Sequence, residues 1–234
     1  MMLPVEKIFQ FGKTFWSLNE NRKIQFAKCR SSIGGYVGEG VEKLDAGSGR
    51  RELREAFNFC LDDETCIRVD QVVPNFYENM SSFYQYCHIL SSAVLSIIER
   101  YLNVEEGVDF LTKWHPVQGT ATTLRLLHYP PVPLQILDSS STRCGEHSDY
   151  GSLTLLFQDM IGGLEVLKSS LILLYKKHRV RLPENRNLWS LERYSIAFFV
   201  HPLDECVIEC LDGSKKYPPV TAGQYLLDKY AQTY

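Results

Sequence analysis

The segment Gly145–Phe157, with the sequence GEHSDYGSLTLLF, decides the expected fold because it joins a polar turn to an apolar, β-like run. Within it, His147 and Asp149 are two residues apart. Side chains at positions i and i+2 of an extended strand project to the same face. An imidazole nitrogen and a carboxylate oxygen can therefore converge on one divalent metal ion. Taken alone, a His-x-Asp pair more often belongs to a surface turn that carries two polar residues.

A third candidate ligand, His178, lies in the basic run KKHRVR at residues 176–181. In an extended conformation, His178, Val180 and Leu182 share one face of the strand. The alternatives are a solvated basic strand and a phosphate-binding patch. The run has no interleaved aromatic residues and the chain has a formal net charge of -3, so we do not expect a nucleic-acid site here.

Arg193 and Ser195 share a strand face at the start of the apolar run Ser195–Val200. A guanidinium buried at the base of a small β-roll needs an anion, and its planar fork fits a carboxylate. The Ser195 hydroxyl and the hydroxyl of Tyr129 could add hydrogen bonds. The alternative is an edge-strand arginine in solvent. A His-x-Asp pair, a later His and an Arg-x-Ser pair follow the order expected of a two-His, one-carboxylate iron site with a pocket for an anionic co-substrate.

The distribution of apolar residues predicts an α+β protein. Over the first hundred residues apolar side chains recur every three or four positions, most regularly in the segment Phe76–Tyr101, which predicts a long helix packed on the core. We therefore predict a helical N-terminal region over residues 1–114 and a β-sandwich or roll over residues 115–234, within one structural unit. The predicted strands are Thr123–Tyr129, Ser152–Phe157, Leu164–Leu167, Leu171–Tyr175, Ser195–Val200 and Cys206–Cys210.

The composition predicts a soluble cytoplasmic protein. Hydrophobic residues make up 44% of the chain and charged residues 23%, which is ordinary for a globular domain. The net charge of -3 gives no reason to expect a nucleic-acid or anionic-membrane partner. Seven scattered cysteines without a CxxC pair indicate reduced thiols. The first residues resemble neither a signal peptide nor a transit peptide, and no apolar run is long enough to span a bilayer.

At the level of whole motifs, the chain resembles the isopenicillin N synthase-like family of iron(II)- and 2-oxoglutarate-dependent dioxygenases. The resemblance covers nearly the whole chain and rests on GEHSDYGSLTLLFQD (145–159), GGLEVL (162–167), HRV (178–180), ERYSIAFFVHP (192–202), ELREAFNF (52–59), RLLHYPP (125–131) and the ending 211–234. It implies a double-stranded β-helix, or jelly-roll, core behind a helical N-terminal region. It also implies oxidation of a small organic substrate by oxygen, through hydroxylation or desaturation.

The resemblance assigns a role to each candidate residue. His147, Asp149 and His178 would be the iron ligands. Arg193 and Ser195 would hold the distal carboxylate of the co-substrate 2-oxoglutarate, and Tyr129 would assist them.

The chain departs from this family between His147 and His178, where family members have more residues. The missing part corresponds to about two strands and their turns, and the segment Leu171–Tyr175 could replace one of them. The chain also begins within what resembles the family's first long helix. We therefore expect a truncated, alternatively spliced or mispredicted version of a complete enzyme.

Two other functions remain open from the sequence. One is a non-catalytic variant that keeps the roll but cannot hold iron. The other is a zinc hydrolase on a cupin-like roll, which needs a general base beside the metal. Glu146 is a poor candidate for that base because it points to the strand face opposite His147.

Overall fold

The computed structural model describes residues 4–29, 32–42, 52–102, 109–132, 142–167, 177–210 and 213–233. The helices are α1 (Pro4–Trp16), α2 (Glu20–Ile24), α3 (Glu64–Arg68), α4 (Phe76–Leu102), α5 (Phe110–Lys113) and α6 (Ala222–Thr233). The strands are β1 (Gly35–Val37), β2 (Glu55–Phe59), β3 (Thr123–Tyr129), β4 (Cys144–His147), β5 (Leu153–Gln158), β6 (Leu164–Val166), β7 (His178–Val180), β8 (Arg193–Val200), β9 (Val207–Ile208) and β10 (Val220–Thr221). The predicted strand Leu171–Tyr175 lies outside the described residues. None of the helices in the described ranges has the length and apolar character that crossing a membrane requires.

The largest sheet has five antiparallel strands in the order β1-β2-β3-β8-β5. Its central pair, β3 and β8, brings Tyr129 opposite Arg193 and Leu127 opposite Ser195. Side chains alternate between the two faces of a strand, so these four residues lie on one face, which we call the inner face. Sequence patterning predicted both central strands correctly, and β8 begins two residues earlier than predicted.

The inner face of the large sheet packs against a smaller sheet with the order β4-β7-β6. A small buried cluster joins the two sheets; it contains Leu127, Tyr129 and Ala197 from the large sheet and Cys144 and Val180 from the smaller one. Among the described strands, β5 pairs only with β8, and β6 pairs only with β7. Each of them is therefore an edge strand, and these two edges follow one another in the chain.

The outer face of the large sheet is covered by helices, mainly α1 and α4. This side holds the main hydrophobic core, which includes Phe15, Phe57, Phe76 and Phe198, each of them completely buried. The core fixes the large sheet from behind. Its inner face is left to form one wall of a cavity.

The apolar stripe predicted for the long helix is only half correct. Phe76 and Met80 are buried as expected, but Ile97 and Tyr101 are 66% and 68% exposed. The buried row of α4 continues instead through Ser91, Leu95 and Glu99. These residues follow a spacing of four, because a helix can contact its neighbour along its i, i+4 ridge. The predicted stripe alternates spacings of three and four, so it separates from this buried row, whose spacing is four, along a helix of this length.

The N-terminal region is not entirely helical, which corrects the secondary structure predicted for residues 1–114. It contributes β1 and β2, and β2 pairs along its whole length with β3. Every residue of these two strands is buried. A strand buried on both faces lacks the polar–apolar alternation that reveals a strand in a sequence. The boundary predicted at residues 114 and 115 remains a prediction.

Candidate metal and co-substrate site

The structure brings His147, Asp149 and His178 together at one end of the smaller sheet. His147 is the last residue of β4 and lies directly opposite His178 of β7 in the strand register. Asp149 comes after β4 has ended, in the turn to β5, so it does not share a regular strand with His147 as the sequence predicted. The two side chains converge nevertheless, because the turn folds back over the strand end.

The three side chains fit a divalent metal ion. Asp149 Oδ1 lies 3.7 Å from His147 Nε2 and 3.7 Å from His178 Nε2, and one donor atom from each residue lies within 4.8 Å of the others. Donor atoms on one face of an octahedral ion, at bonds of about 2.1 Å, are about 3 Å apart. Side-chain movements of less than about 1 Å would bring the observed separations to those expected of donor atoms around a bound ion. Two imidazoles and one carboxylate form the donor set typical of non-haem iron.

The backbone of β4 holds His147 in the form that a metal requires. Its Nδ1 lies 2.8 Å from the carbonyl oxygen of Gly145. A carbonyl can only accept a hydrogen bond, so Nδ1 carries the proton and the lone pair of Nε2 faces Asp149. Burial lowers the pKa of His147, although the Gly145 carbonyl and Asp149 oppose this effect. The imidazole is thus neutral near pH 7, as a ligand must be.

The turn that carries Asp149 lies tightly against the end of β8. The amide of Ser152 donates a hydrogen bond of 2.8 Å to the carbonyl of Val200. A Cβ atom at Gly151 would be only 2.4 Å from that same carbonyl oxygen. Glycine is therefore required at this position by the close approach of the two backbones.

Thr154 positions the carboxylate and was missed by the sequence analysis. Its hydroxyl donates a hydrogen bond of 2.7 Å to Asp149 Oδ2, which leaves Oδ1 between the two histidines. Thr154 lies on β5 with its side chain on the inner face of the large sheet, so this bond connects the two sheets at the candidate metal site. The signal was present in the sequence: Thr154 is a polar residue that interrupts the apolar run Ser152–Phe157.

We expect Thr154→Val to weaken Fe(II) binding by about 10- to 100-fold, the usual effect of removing a hydrogen bond to a metal ligand. Valine keeps the shape of threonine and lacks the hydroxyl. Anaerobic calorimetric titration of Fe(II) measures the change, and Thr154→Ser, which keeps a hydroxyl, is the control. Wild-type affinity in the valine variant would contradict the role given to Thr154.

Arg193 is 1% exposed and lies on the same inner face, at the opposite end of β8 from the Asp149 turn. Its Nε donates to the carbonyl of Gly162 at 2.8 Å, its Nη2 to Gln158 Oε1 at 2.8 Å and its Nη1 to Ser195 Oγ at 3.3 Å. The guanidinium also lies over the ring of Tyr129, 4.7 Å from its centre. Within the described residues every hydrogen-bond partner of this buried cation is neutral, so the site can stabilise an added anion.

Ser195 and Tyr129 flank Arg193 as the sequence predicted. Both are buried, and both line the cavity with Arg193. Burial raises the pKa of Tyr129, and Cys144 adds to this effect. The phenol therefore keeps its proton near neutral pH and can donate it in a hydrogen bond to a carboxylate.

A single cavity of about 860 Å³ connects the two groups of residues. Its lining includes the three candidate metal ligands as well as Tyr129, Arg193 and Ser195. The predicted site residues thus share one pocket, which is of the size expected for small-molecule sites.

The basic neighbours of His178 face away from this cavity. Lys177 pairs with Glu146 at 3.0 Å, and Arg179 pairs with Glu165 at 2.7 Å, all on the exposed side of the smaller sheet. The alternative of a solvated basic strand therefore describes these neighbours and not His178. Glu146 lies on the outer surface, as predicted, which leaves it unable to act as a base beside the metal.

His201 forms part of the cavity wall and gives stability a specific pH dependence. Burial lowers its pKa from 6.5 to about 4, with a further decrease from the neighbouring His115 and an opposing effect of Asp149. Below pH 6.5 the unfolded chain therefore takes up this proton first. We expect this residue to lower stability by about 3 kcal/mol between pH 6.5 and pH 4, while its full contribution is present above pH 6.5.

Urea unfolding at a series of pH values between 7 and 4 gives the free energy of unfolding. The decrease in this free energy should be larger for the wild type than for His201→Gln, and the difference measures the effect of the His201 ring. The substitution removes the titrating ring and keeps the backbone hydrogen bonds of residue 201 with Thr122. Parallel pH profiles for the two proteins would show that the ring does not titrate as stated.

Known proteins with similar sequences are named as 2-oxoglutarate-dependent oxidoreductases. A 2-oxoglutarate-Fe(II) type oxidoreductase of Metarhizium rileyi is 31% identical over 284 residues, covering 98% of this chain and 78% of the relative. The chain belongs to the 2-oxoglutarate-Fe(II) oxidoreductases. A 2-oxoglutarate-dependent dioxygenase of Aspergillus rugulosus is 29% identical, covering 98% of this chain and 85% of the relative. No protein-family model matches the chain.

A solved structure supports the same family assignment. A full-length Neurospora crassa protein in complex with alpha-KG and thymine superposes with a TM-score of 0.84 at 25% identity, covering 99% of this chain and 84% of that one. As a member of this family the protein is an enzyme that uses Fe(II) and 2-oxoglutarate. Its mixed helix-and-sheet fold is the fold of these oxygenases.

This 2-oxoglutarate-Fe(II) oxidoreductase is shorter than its relatives within the matched region. The alignment with the Metarhizium rileyi protein extends over 284 residues, whereas the whole chain has 234. About 50 residues of that relative therefore have no counterpart here. The prediction that part of the family's chain is missing is consistent with this difference.

Proposed function

We propose that His147, Asp149 and His178 hold Fe(II), and that Arg193, Ser195 and Tyr129 hold the distal carboxylate of 2-oxoglutarate. The observation that carries this proposal is the presence, in one cavity, of a two-His, one-carboxylate cluster and a buried arginine with only neutral partners among the described residues. The bound iron would supply positions for the co-substrate and for oxygen, because a set of three protein ligands would leave other positions free.

The residues of the chain provide the orientation. Gly145 fixes the proton of His147 on Nδ1, and Thr154 fixes the carboxylate of Asp149. Arg193 offers a planar pair of N–H groups and Tyr129 a protonated hydroxyl, both suited to a carboxylate. Leu127, Ala197 and Phe199 line the cavity between these ends and reduce the access of water to the reacting atoms.

We infer that the protein belongs to the isopenicillin N synthase-like group and has a double-stranded β-helix core, with residues 1–114 as an N-terminal region and residues 115–234 as the oxygenase region. The two facing sheets support this core. We place the missing chain between β6 and β7, since β5 and β6 are both edge strands among the described ones. We also propose a cytoplasmic location, consistent with seven cysteines that include no CxxC pair.

The proposed substrate is a small organic molecule. The Neurospora crassa complex contains thymine, and a relative from Petromyces alliaceus is named a proline hydroxylase, at 27% identity. Both molecules would fit easily into the cavity. A zinc hydrolase is not favoured, because Glu146, the candidate for its general base, faces the outer surface.

The absence of about 50 residues present in a relative makes assembly of the iron site the first part of the proposal to test. An anaerobic titration of the purified protein with Fe(II) and 2-oxoglutarate provides this test. The proposal expects the visible charge-transfer band that the chelated co-substrate gives with Fe(II). A folded protein that gives no band and binds no Fe(II) would contradict the proposed iron and co-substrate site.

A further inference from the structure

The cavity has a second polar wall, which the assigned site residues do not use. Asn58 of β2 and Arg125 of β3 are partners in the strand register and lie on the inner face of the large sheet. Arg54 and Glu42 lie beside them, and all four residues line the cavity. In the strand order β2-β3-β8-β5, Arg125 lies two strand spacings, about 10 Å, from the strand of Thr154, and Asn58 lies three, about 14 Å.

Each guanidinium of this wall is paired with a carboxylate. Glu42 accepts hydrogen bonds from Arg54, at 2.9 Å, and from Arg125, and Glu52 accepts from Arg54 at 2.8 Å. Two guanidinium groups thus meet two carboxylates, all of them largely buried. Glu52 does not line the cavity, and neither does Lys28, whose charge interacts with Glu42 and Arg125.

This pairing distinguishes the wall from the Arg193 end of the cavity. Arg193 contacts only neutral groups among the described residues and can therefore accept an anion. An ion placed beside Arg125 would lose its hydration and meet a cation that Glu42 already neutralises. A neutral polar group would lose much less and could still form hydrogen bonds there.

Asn58 adds a buried acceptor to the wall. Its Nδ2 donates a hydrogen bond of 3.0 Å to the carbonyl of Ile33. A carbonyl cannot donate, so this bond fixes the orientation of the amide and leaves Oδ1 as the acceptor. Asn58 is 4% exposed, and Oδ1 is buried and accepts no hydrogen bond from the described residues. Buried acceptors of this kind are uncommon and are stabilised by a ligand that brings an N–H or O–H group.

We propose that this wall recognises an amide-type group, an N–H beside a C=O, on a neutral substrate. The substrate carbonyl accepts from Arg125 and its N–H donates to Asn58 Oδ1, which a small movement of the side chain exposes to the cavity while Nδ2 keeps its hydrogen bond to Ile33. The oxidised carbon then lies on the other side of the cavity, near Asp149. The inference rests on the proposed function, since it places the substrate beside the proposed metal and co-substrate sites.

Calorimetric titration of the anaerobic protein with Fe(II) and 2-oxoglutarate present tests the proposal. The probes are neutral cyclic amides (2-piperidone, thymine and a cyclic dipeptide) and carboxylates of similar size (cyclohexanecarboxylate and benzoate). At least one amide is expected to bind about 10-fold more tightly than either carboxylate, as an ion pays the larger desolvation cost at this wall. Equal or tighter binding of the carboxylates, or no binding by any amide, would overturn the proposal.

Variants connect the binding to the wall. Arg125→Met and Asn58→Leu are each expected to weaken amide binding at least about 10-fold, the usual cost of a lost buried hydrogen bond, and Arg125→Lys, which keeps the charge, to weaken it less. Glu209→Gln removes a different charge from the cavity lining and should leave binding unchanged. Circular dichroism establishes that each variant is folded. Unchanged amide binding in folded Arg125→Met and Asn58→Leu would also overturn the proposal.

Failure of the proposed function gives a different result. If the charge-transfer band forms and no amide binds, the proposal on the wall is wrong and the iron and co-substrate assignments stand. If amides bind to the protein without added iron, in a manner that depends on Arg125, and no band forms, the wall stands and the proposed iron and co-substrate assignments fail.

Discussion

His178→Ala is expected to weaken Fe(II) binding by at least about 100-fold while leaving the protein folded. Loss of a residue that only supports a metal ligand typically costs about 10- to 100-fold in affinity, so loss of one of three ligands should cost at least the upper value. The side chain of His178 is 20% exposed, so its truncation opens little space in the core. Anaerobic calorimetry of Fe(II) binding measures the change, and the charge-transfer band with 2-oxoglutarate should disappear.

Lys177→Ala is the matched control for this experiment. Lys177 is the neighbouring residue in the chain, but it faces the outer surface and pairs there with Glu146. The Lys177→Ala variant should bind Fe(II) with the affinity of the wild type. If His178→Ala and Lys177→Ala behave alike, His178 is not a ligand and the three side chains meet for structural reasons only.

Arg193→Met is expected to weaken 2-oxoglutarate binding by at least about 30-fold, with little effect on Fe(II) alone. Removing one partner of a buried ion pair costs about 2 kcal/mol or more. The shorter acid 2-oxobutyrate keeps the chelating oxo and carboxylate groups but lacks the distal carboxylate. Its affinity should therefore be similar in the variant and the wild type, and comparison of the two acids by anaerobic titration isolates the contact with Arg193.

Two further variants make this result interpretable. Arg181→Met changes an exposed arginine that pairs with Glu165, and it should bind both acids normally. Arg193→Lys keeps the charge but loses the planar pair of N–H groups, and it replaces Arg193→Met in the comparison of the two acids if the methionine variant does not fold. Equal losses of affinity for both acids would place Arg193 outside the distal carboxylate site.

The sequence predicted which polar side chains share a cavity better than it predicted the scaffold. His147, Asp149, His178 and Arg193 all line one cavity, because short polar motifs lie at the ends of strongly apolar strands whose faces are set by alternation. The supporting contact of Thr154 could have been found by the same alternation. The contact of Glu52 with the amide of Gly145 could not, since it joins residues far apart in the chain.

Other features depended on packing that no local pattern records. The strands β1 and β2 are buried on both faces, so neither shows the regular alternation of polar and apolar residues that marks a strand in a sequence. The exposed side of the second half of α4 was predicted as core because its apolar residues recur with a helical period. The buried residues of that half instead lie four positions apart, and they include Ser91 and Glu99. In both cases tertiary contacts decided between patterns that the sequence allows equally.

The small cluster between the two sheets implies a hierarchy of local unfolding. The smaller sheet contributes few buried apolar side chains to it, whereas the large sheet is secured by the helices behind it. In hydrogen exchange, we expect the amides of β4 and β7 to exchange before those of β3 and β8. His147 and His178 lie on the less stable sheet, and Thr154 ties it to the more stable one. Metal binding would therefore slow hydrogen exchange mainly in the smaller sheet. The stability of that sheet would depend on the bound metal, whereas the stability of the large sheet would depend on it far less.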